Sequence, residues 1–252
     1  MKEHAILGID VGGTNIKGAV VDSRSGEFLS EKISLPTQPN DPEGIARQFK
    51  QIVDRLEWDG LIGCGFPAVI RQGVALTAAN VDKSWIGINA KQLFRDVSGC
   101  KVYVVNDADA AGMAEMTLGA GKTHRRGSIL MLTIGTGIGS AFFNSGHLVP
   151  NTELGHLHFN DSRDIETEIS GSAITRKGLS LKDWAHTFNQ YLQYVNMLLR
   201  PDLFILGGGV CNSFHEFKDW LQLDVPIIQA EFHNDAGIIG AAMFADYKGK
   251  AI

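Results

Sequence analysis

Near the N-terminus an apolar run, Ile6-Leu7-Gly8-Ile9, ends at the carboxylate of Asp10, turns through Gly12, Gly13 and Thr14, and resumes over residues 16–21. That pattern predicts strand, tight turn, strand. Residues 27–35 continue as a third predicted strand, followed by a breaker-rich loop over 36–42. Asp41 can cap the next helix with Pro42 in its first position, and Ile45, Phe49, Ile52, Val53 and Leu56 then share one helical face. Residues 61–66 read as a buried strand stopping at Pro67, with 74–78 as its neighbour. A loop over 79–87 holds Asn80, Asp82, Lys83 and Trp85; a helix over 90–97, a strand over 102–105 and a helix over 107–118 follow.

The second half opens by repeating the first. With Gly135 placed beneath Gly12, Ile129-Leu130-Met131-Leu132-Thr133-Ile134-Gly135-Thr136-Gly137 falls under residues 6–14. A duplicated lobe explains this most economically, and two unrelated glycine hairpins are the alternative. Ser180 and Asp183 form a capping-box-like start to a long helix whose apolar side carries Trp184, Phe188, Tyr191, Val195 and Leu198, ending at Pro201. A buried strand over 203–206 feeds Gly207, Gly208 and Gly209; residues 226–230 form the last strand, and Asn234 or Asp235 caps a final helix over 236–247. Strands mixed with helices in two similar halves imply an α/β fold with two lobes and a cleft between them.

A chain of 252 residues can bury a substantial core, and a net charge of −5 gives no reason to expect nucleic-acid binding. An anionic ligand must therefore be met by local groups. The three cysteines, Cys64, Cys100 and Cys211, are scattered and odd in number, which suits a reducing, cytoplasmic setting and small core roles. The first strand begins within a few residues of Met1, so no signal peptide or N-terminal DNA-binding helix pair is expected, and no apolar run is long enough to cross a membrane.

Three glycine turns at strand ends, at Gly12, Gly135 and Gly207, point to phosphates. Glycine lets backbone N–H groups approach an anion closely; Thr14 and Lys17 add donors, and Asp10 can hold a hydrated divalent cation beside them. Each turn also has a plain structural reading as a hairpin. Two such turns could grip the ends of a phosphoanhydride while the third supports a base or further phosphates, which implies phosphoryl transfer. The reaction needs a carboxylate beside the acceptor hydroxyl, and Asp107, between a buried strand and a helix, supplies it unless it serves only as a helix cap. Asn80, Asn106, Glu153, His156 and Glu166 offer the short, planar, bidentate groups that read a polyol in pairs; singly, they also read as turn, buried or solvated residues.

With these residues together, the sequence resembles the ROK family of sugar kinases in the actin-like ATPase superfamily, and within it the polyphosphate glucokinases. Asp10-Val11-Gly12-Gly13-Thr14 resembles the family's first phosphate motif, residues 132–139 its second, and residues 206–210 its adenosine motif. Asn106-Asp107-Ala108 is similar to the catalytic motif with Asp107 as base, and Glu153-Leu154-Gly155-His156 to the sugar-binding motif. Glu166, four positions before Ser170-Gly171, falls where a further sugar-binding glutamate is expected. Most ROK members carry a cysteine cluster just after that histidine for structural zinc, but residues 159–168 contain no cysteine. His156 is therefore assigned to sugar, and no zinc site is expected. The basic run Lys122, His124, Arg125, Arg126 is a candidate for gripping polyphosphate, or else a solvated loop.

The resemblance implies a two-lobed fold of duplicated, ribonuclease H-like lobes around a cleft, with residues 1–107 and about 236–252 in one lobe and 108–235 in the other. It implies a cytoplasmic, homodimeric glucokinase that moves a phosphoryl group from polyphosphate or ATP, with Mg2+, to the 6-hydroxyl of glucose. An ATP-dependent kinase for another hexose or an N-acetyl amino sugar is the nearer competitor, and a sugar-sensing regulator the more distant one.

Overall fold

The computed structural model describes residues 4–159, 162 and 164–250. The chain divides into two compact units, Met1–Ala114 with Asp235–Ile252, and Glu115–Asn234.

In the first unit, β1 (Ala5–Val11) pairs antiparallel with β2 (Asn15–Asp22), which pairs antiparallel with β3 (Ile33–Pro36). Helix α1 (Pro42–Arg55) follows, and β4 (Ile62–Phe66) then adds to β1 in parallel. A small ribbon of β5 (Ile70–Arg71) and β6 (Val74–Ala75) comes next, followed by α2 (Ala90–Ser98) and β7 (Val102–Asn106), which pairs in parallel with β4. The sheet order is β3-β2-β1-β4-β7. Helix α3 (Asp107–Thr117) leaves the end of β7, and the division between units falls within it, after Ala114.

In the second unit, β8 (Ser128–Ile134), β9 (Ile138–Asn144) and β10 (His147–Val149) form an antiparallel meander. Short helices α4 (Glu166–Ile169) and α5 (Gly171–Lys177) lead to the long α6 (Leu181–Leu199). Strand β11 (Leu203–Gly207) joins β8 in parallel; the short α7 (Phe214–Phe217) follows, and β12 (Ile227–Gln229) pairs with β11 in parallel. The order β10-β9-β8-β11-β12 repeats that of the first sheet strand for strand. Helix α8 (Ala236–Lys250) returns to the first unit; Met1 to Glu3 and the last two residues of the expected C-terminal helix, 251–252, lie outside the described residues.

Local chemistry explains these elements. Asp41 accepts the N–H of Gly44 at 2.7 Å with Pro42 next to it, so α1 starts where the sequence predicts, and Ile45, Phe49, Ile52 and Val53 are buried on its inner face. Ser180 accepts the N–H of Asp183 at 3.1 Å at the start of α6. Helix α8 lies close on its sheet because β1 and β4 present Gly8 and Gly63, where a Cβ would overlap the carbonyls of Ile238 and Ala241. All three cysteines are buried, and burial pushes the Cys211 thiol up to about 12.

Three elements differ from the sequence expectation. The third strand is interrupted: residues 33–36 form the ladder and Phe28 makes an isolated antiparallel bridge to Val21, while between them Ser30 Oγ takes the N–H of Val20 at 2.9 Å, filling a ladder position with a side chain. The 74–78 segment is no neighbour of β4: Gln72 and Gly73 both adopt positive φ, 53° and 86°, and fold Val74 and Ala75 back on β5. On α6, Leu198 is exposed while Leu192 is buried and Leu199 packs against the core, since the spacing after Val195 closes the inner face one residue later.

Candidate functional site

In the first unit, the 12–14 turn joins β1 to β2, and register places Asp10 opposite Lys17 on one side and Gly65 on the other. Gly65 pairs with Val105, two residues before Asp107, so the ends of three adjacent strands bring Asp10 and Asp107 together. A Cβ on Gly65 would lie 3.3 Å from Asp10 Oδ1 and 3.5 Å from Asp107 Cα. At the first turn of α8, a Cβ on Gly237 would lie 2.6 Å from Asp10 Cγ, so only glycine leaves room for this carboxylate. Desolvation pushes the Asp10 carboxyl up to about 7; the charge of Asp107 acts in the same direction and Lys17 opposes it.

Asn80 belongs to the same group, since a Cβ on Gly13 would lie 3.3 Å from Asn80 Cβ. Asn106 is buried; its Oδ1 accepts the N–H of Asp109 at 3.1 Å and its Nδ2 donates to the carbonyl of Ala68 at 3.2 Å. The bond to Asp109 is the one a capping side chain makes at a helix start, so Asn106 caps α3. Asp107 accepts the N–H of Ala108 at 2.9 Å and is half-buried.

The second unit gathers the rest. The N–H of Gly135 donates to the carbonyl of Gly137 at 2.9 Å; the carbonyl of Gly135 accepts from Gly171 N–H at 2.8 Å, and that of Thr136 from Ser172 Oγ at 2.6 Å. Gly208, at φ 83°, packs where a Cβ would meet Ile134 backbone atoms at 2.5–2.7 Å, so the 207–209 turn lies against the strand end that leads into Gly135. Glu166 Oε2 accepts the N–H of Ile138 at 2.7 Å, just past the same turn. Desolvation raises the Glu166 carboxyl above its usual range, against the Ile138 bond and His156, while Asp164 adds to the rise. His156 lies 3.7 Å from Glu153 Oε2 through Nε2 and 3.2 Å from Asp164 Oδ2 through Nδ1.

The structure thus brings Asp10, Gly13, Lys17, Asn80, Asn106 and Asp107 together in one unit, and Gly135, Thr136, Gly137, Gly207, Gly208, Glu153, His156 and Glu166 in the other. Gly209 opens the short helical turn Gly209–Ser213 beside them. The basic run has separate contacts: Lys122 pairs with Glu231 at 3.6 Å, and Arg125 Nε donates to the carbonyl of Lys122 at 3.4 Å. Lys122 and Arg126 are both exposed. Sequence reasoning missed Asp164, whose only signal is a carboxylate two positions before Glu166, and it missed Thr37 and Ser172, which hold the two glycine turns from behind.

The donor set can be tested against a divalent cation. Two carboxylates meeting at a desolvated strand edge, with one lysine as partial compensation, leave an excess of negative charge that a cation would relieve. Carboxylates that reach the cation through water match Mg2+, which keeps most of its waters, better than a cation that needs a full protein cage.

Comparison with known proteins extends this picture. A model described as the ROK family matches residues 6–176. A polyphosphate glucokinase of Mycobacterium tuberculosis (strain CDC 1551 / Oshkosh) is 41% identical over 239 residues, covering 94% of this chain and 89% of that protein. A polyphosphate glucokinase of Mycobacterium leprae is 41% identical over 95% of this chain and 74% of that protein. Among solved structures, an inorganic polyphosphate/ATP-glucomannokinase from Arthrobacter sp. strain KM superposes with a TM-score of 0.94 at 42% identity, covering 98% of this chain and all of that one.

Proposed function

The chain belongs to the ROK family, and from that premise we propose that it is a glucokinase transferring a phosphoryl group from inorganic polyphosphate or ATP to the 6-hydroxyl of glucose. The fold is that of the ROK sugar kinases, with the duplicated sheets of the actin-like ATPase class. The observation that carries the reading is the meeting of Asp10 and Asp107 across the end of β4, from β1 and β7 on its two sides and beside the 12–14 turn, in a chain more than 40% identical to a polyphosphate glucokinase and a polyphosphate/ATP-glucomannokinase over nearly its whole length.

In this reading Asp107 accepts the hydroxyl proton as the new oxygen–phosphorus bond forms and the bond to the leaving phosphate breaks. Proton removal comes late in such a transfer, so orientation of the hydroxyl matters more than the strength of the base. Because Asn106 supplies the cap of α3, Asp107 is not needed for that purpose. Asn80, Asn106, Glu153, His156 and Glu166 hold the sugar ring, with Asp164 fixing the imidazole of His156. The turns that Gly12 and Gly135 open hold the transferred and leaving phosphates, through backbone and side-chain donors of Gly13, Thr14 and Lys17 in one and of Thr136 and Gly137 in the other; the N–H groups of Gly12 and Gly135 bond within the turns. Gly207, Gly208 and Gly209 carry the base of ATP or further phosphate units, and Lys122, Arg125 and Arg126 extend the grip on a long polyanion. Asp10 would hold Mg2+ through water, and the cation would supply charge neutralisation of the donor phosphates. The reading includes a cytoplasmic location, which the three scattered, unpaired cysteines support, and a homodimer, which family resemblance supports; no described helix is long and apolar enough to cross a membrane.

The deciding experiment is a phosphorylation assay on the purified protein with glucose and a panel of other hexoses and N-acetyl amino sugars, each with polyphosphate and with ATP. Glucose turnover with polyphosphate is expected. Turnover only of another sugar would move the assignment to a different acceptor, and no turnover with either donor would end it.

A further inference from the structure

Thr37 is fully buried and lies one residue past β3, whose last residue, Pro36, is in register with Asn15. Its hydroxyl donates to the carbonyl of Gly12 at 2.8 Å, and its backbone N–H donates to the carbonyl of Thr14 at 2.9 Å. One residue therefore holds both outer carbonyls of the first glycine turn from its buried side. We propose that Thr37 is a positioning residue for the phosphoryl donor, setting the direction of the backbone N–H groups of the 12–14 turn; this deepens the reading above and rests on it.

The physical step is the planarity of the peptide bond. In a trans peptide the carbonyl of one residue and the N–H of the next point in opposite directions, and the peptides of this turn are trans. Binding the Gly12 carbonyl to Thr37 turns the N–H of Gly13 away from Thr37, and binding the Thr14 carbonyl does the same for the N–H of Asn15. The N–H groups of Gly13 and Asn15, two positions apart and neither turned toward Thr37, are thus left as donors that an anion at the turn can accept from.

The alternative state is an ordinary β-turn, in which the first carbonyl accepts the N–H three residues on. Here that bond would join the Gly12 carbonyl to the N–H of Asn15 and consume a donor. The turn instead makes the reverse bond, from Gly12 N–H to the Asn15 carbonyl at 3.0 Å, while the Gly12 carbonyl goes to Thr37. The second unit uses the same device on its own turn: the Gly135 carbonyl is held by Gly171 N–H and the Thr136 carbonyl by the Ser172 hydroxyl. A hydroxyl and a backbone N–H tie back the carbonyls of each glycine turn, although the segments supplying them are unrelated in sequence.

The effect should fall chiefly on the donor, because Asn80, which lies against Gly13, keeps an anchor of its own. The loop carrying Asn80 is anchored by a different residue of the same connector, Asn40, whose carbonyl accepts from Trp85 Nε1 at 3.1 Å and from Asp82 N–H at 3.3 Å. Removing the Thr37 hydroxyl leaves those bonds in place.

The test is Thr37→Val, which keeps the branched shape and the backbone N–H and removes the hydroxyl. The expected result is a KM for both ATP and polyphosphate raised about tenfold, the scale of one lost buried hydrogen bond, with the glucose dissociation constant by calorimetry within about twofold of wild type. Thr37→Ser should restore both donor KM values. Should Thr37→Val fail to fold, Thr37→Ala removes the same hydroxyl with less bulk and is read identically. Wild-type donor KM values in the folded Val or Ala variant, failure of Ser to rescue, or glucose and donor affinities falling together would each overturn the proposal while leaving the glucokinase reading intact. A wild-type protein that turns over neither donor fails the parent reading, and this inference with it.

Discussion

Two neighbouring residues, Asn106 and Asp107, divide between them what one aspartate at a helix start would otherwise do. The Asn106 amide caps α3 through the N–H of Asp109 and anchors the Ala68 carbonyl, while the carboxylate of Asp107 takes only the neighbouring N–H of Ala108 at the helix start. Replacing Asp107 with Asn should leave glucose affinity nearly unchanged by calorimetry while lowering kcat by roughly 10²- to 10⁴-fold, the range of a lost general base. Retention of most turnover would remove Asp107 from the reaction. Asp107 was legible in the sequence because a carboxylate following an apolar strand is a local pattern; that Asn106 rather than Asp107 takes the cap was not, since either residue type serves there. Thr37, Ser172 and Gly237 were hidden for another reason. What they touch, the Gly12 carbonyl, the Thr136 carbonyl and the Asp10 carboxylate, comes near only through strand register and helix docking.

At the scale of elements, the segment between α3 and β8 shows how a charged run is held. Glu115 is buried in α3 and accepts three backbone N–H groups, from Ala120 at 2.9 Å, Glu231 at 3.0 Å and Phe232 at 2.7 Å. It fixes the start of the basic segment against residues 231–232, which is why Glu231 can reach Lys122. Both side chains of that pair are about half exposed, so the pair itself adds little stability. Its consequence is for binding: Glu231 competes with an incoming anion for Lys122. Neutralising Lys122, Arg125 and Arg126 together should raise the KM for polyphosphate much more than for ATP. Glu231→Gln should lower the polyphosphate KM, and high salt should erase the difference. Equal effects on both donors would discard the assignment of this run. The helices and central strands here were readable from period and caps, whereas the break that delays β3 and the pairing of the β5–β6 ribbon were not. One depended on Ser30 taking a ladder donor and the other on positive φ at Gln72 and Gly73.

For the molecule as a whole, the repeat of sheet order β3-β2-β1-β4-β7 in β10-β9-β8-β11-β12 is what the short match of Gly12 with Gly135 implied. Nine aligned positions sufficed because strand, glycine turn and strand are themselves the centre of each sheet. The halves also share an electrostatic condition that no sequence pattern reveals, because burial depends on the finished fold. Each holds one candidate site carboxyl displaced upward by desolvation, Asp10 to about 7 in the first unit and Glu166 in the second. A carboxyl with a raised native pKa binds its proton more tightly in the folded than in the unfolded chain. Its favourable contribution is complete below the unfolded value, 3.8 for Asp10, and is lost as pH rises through about 7. Other groups titrate over the same interval, so the contribution is isolated by comparing wild type with Asp10→Asn, whose amide carries no proton equilibrium. Urea unfolding midpoints measured from pH 4 to pH 8 without Mg2+ should show wild type losing stability relative to the variant as pH rises, with the difference levelling off above about 7. A constant difference across that range would mean that the Asp10 carboxyl ionises normally, and that the strand edge it shares with Asp107 carries no excess of negative charge for a cation to neutralise.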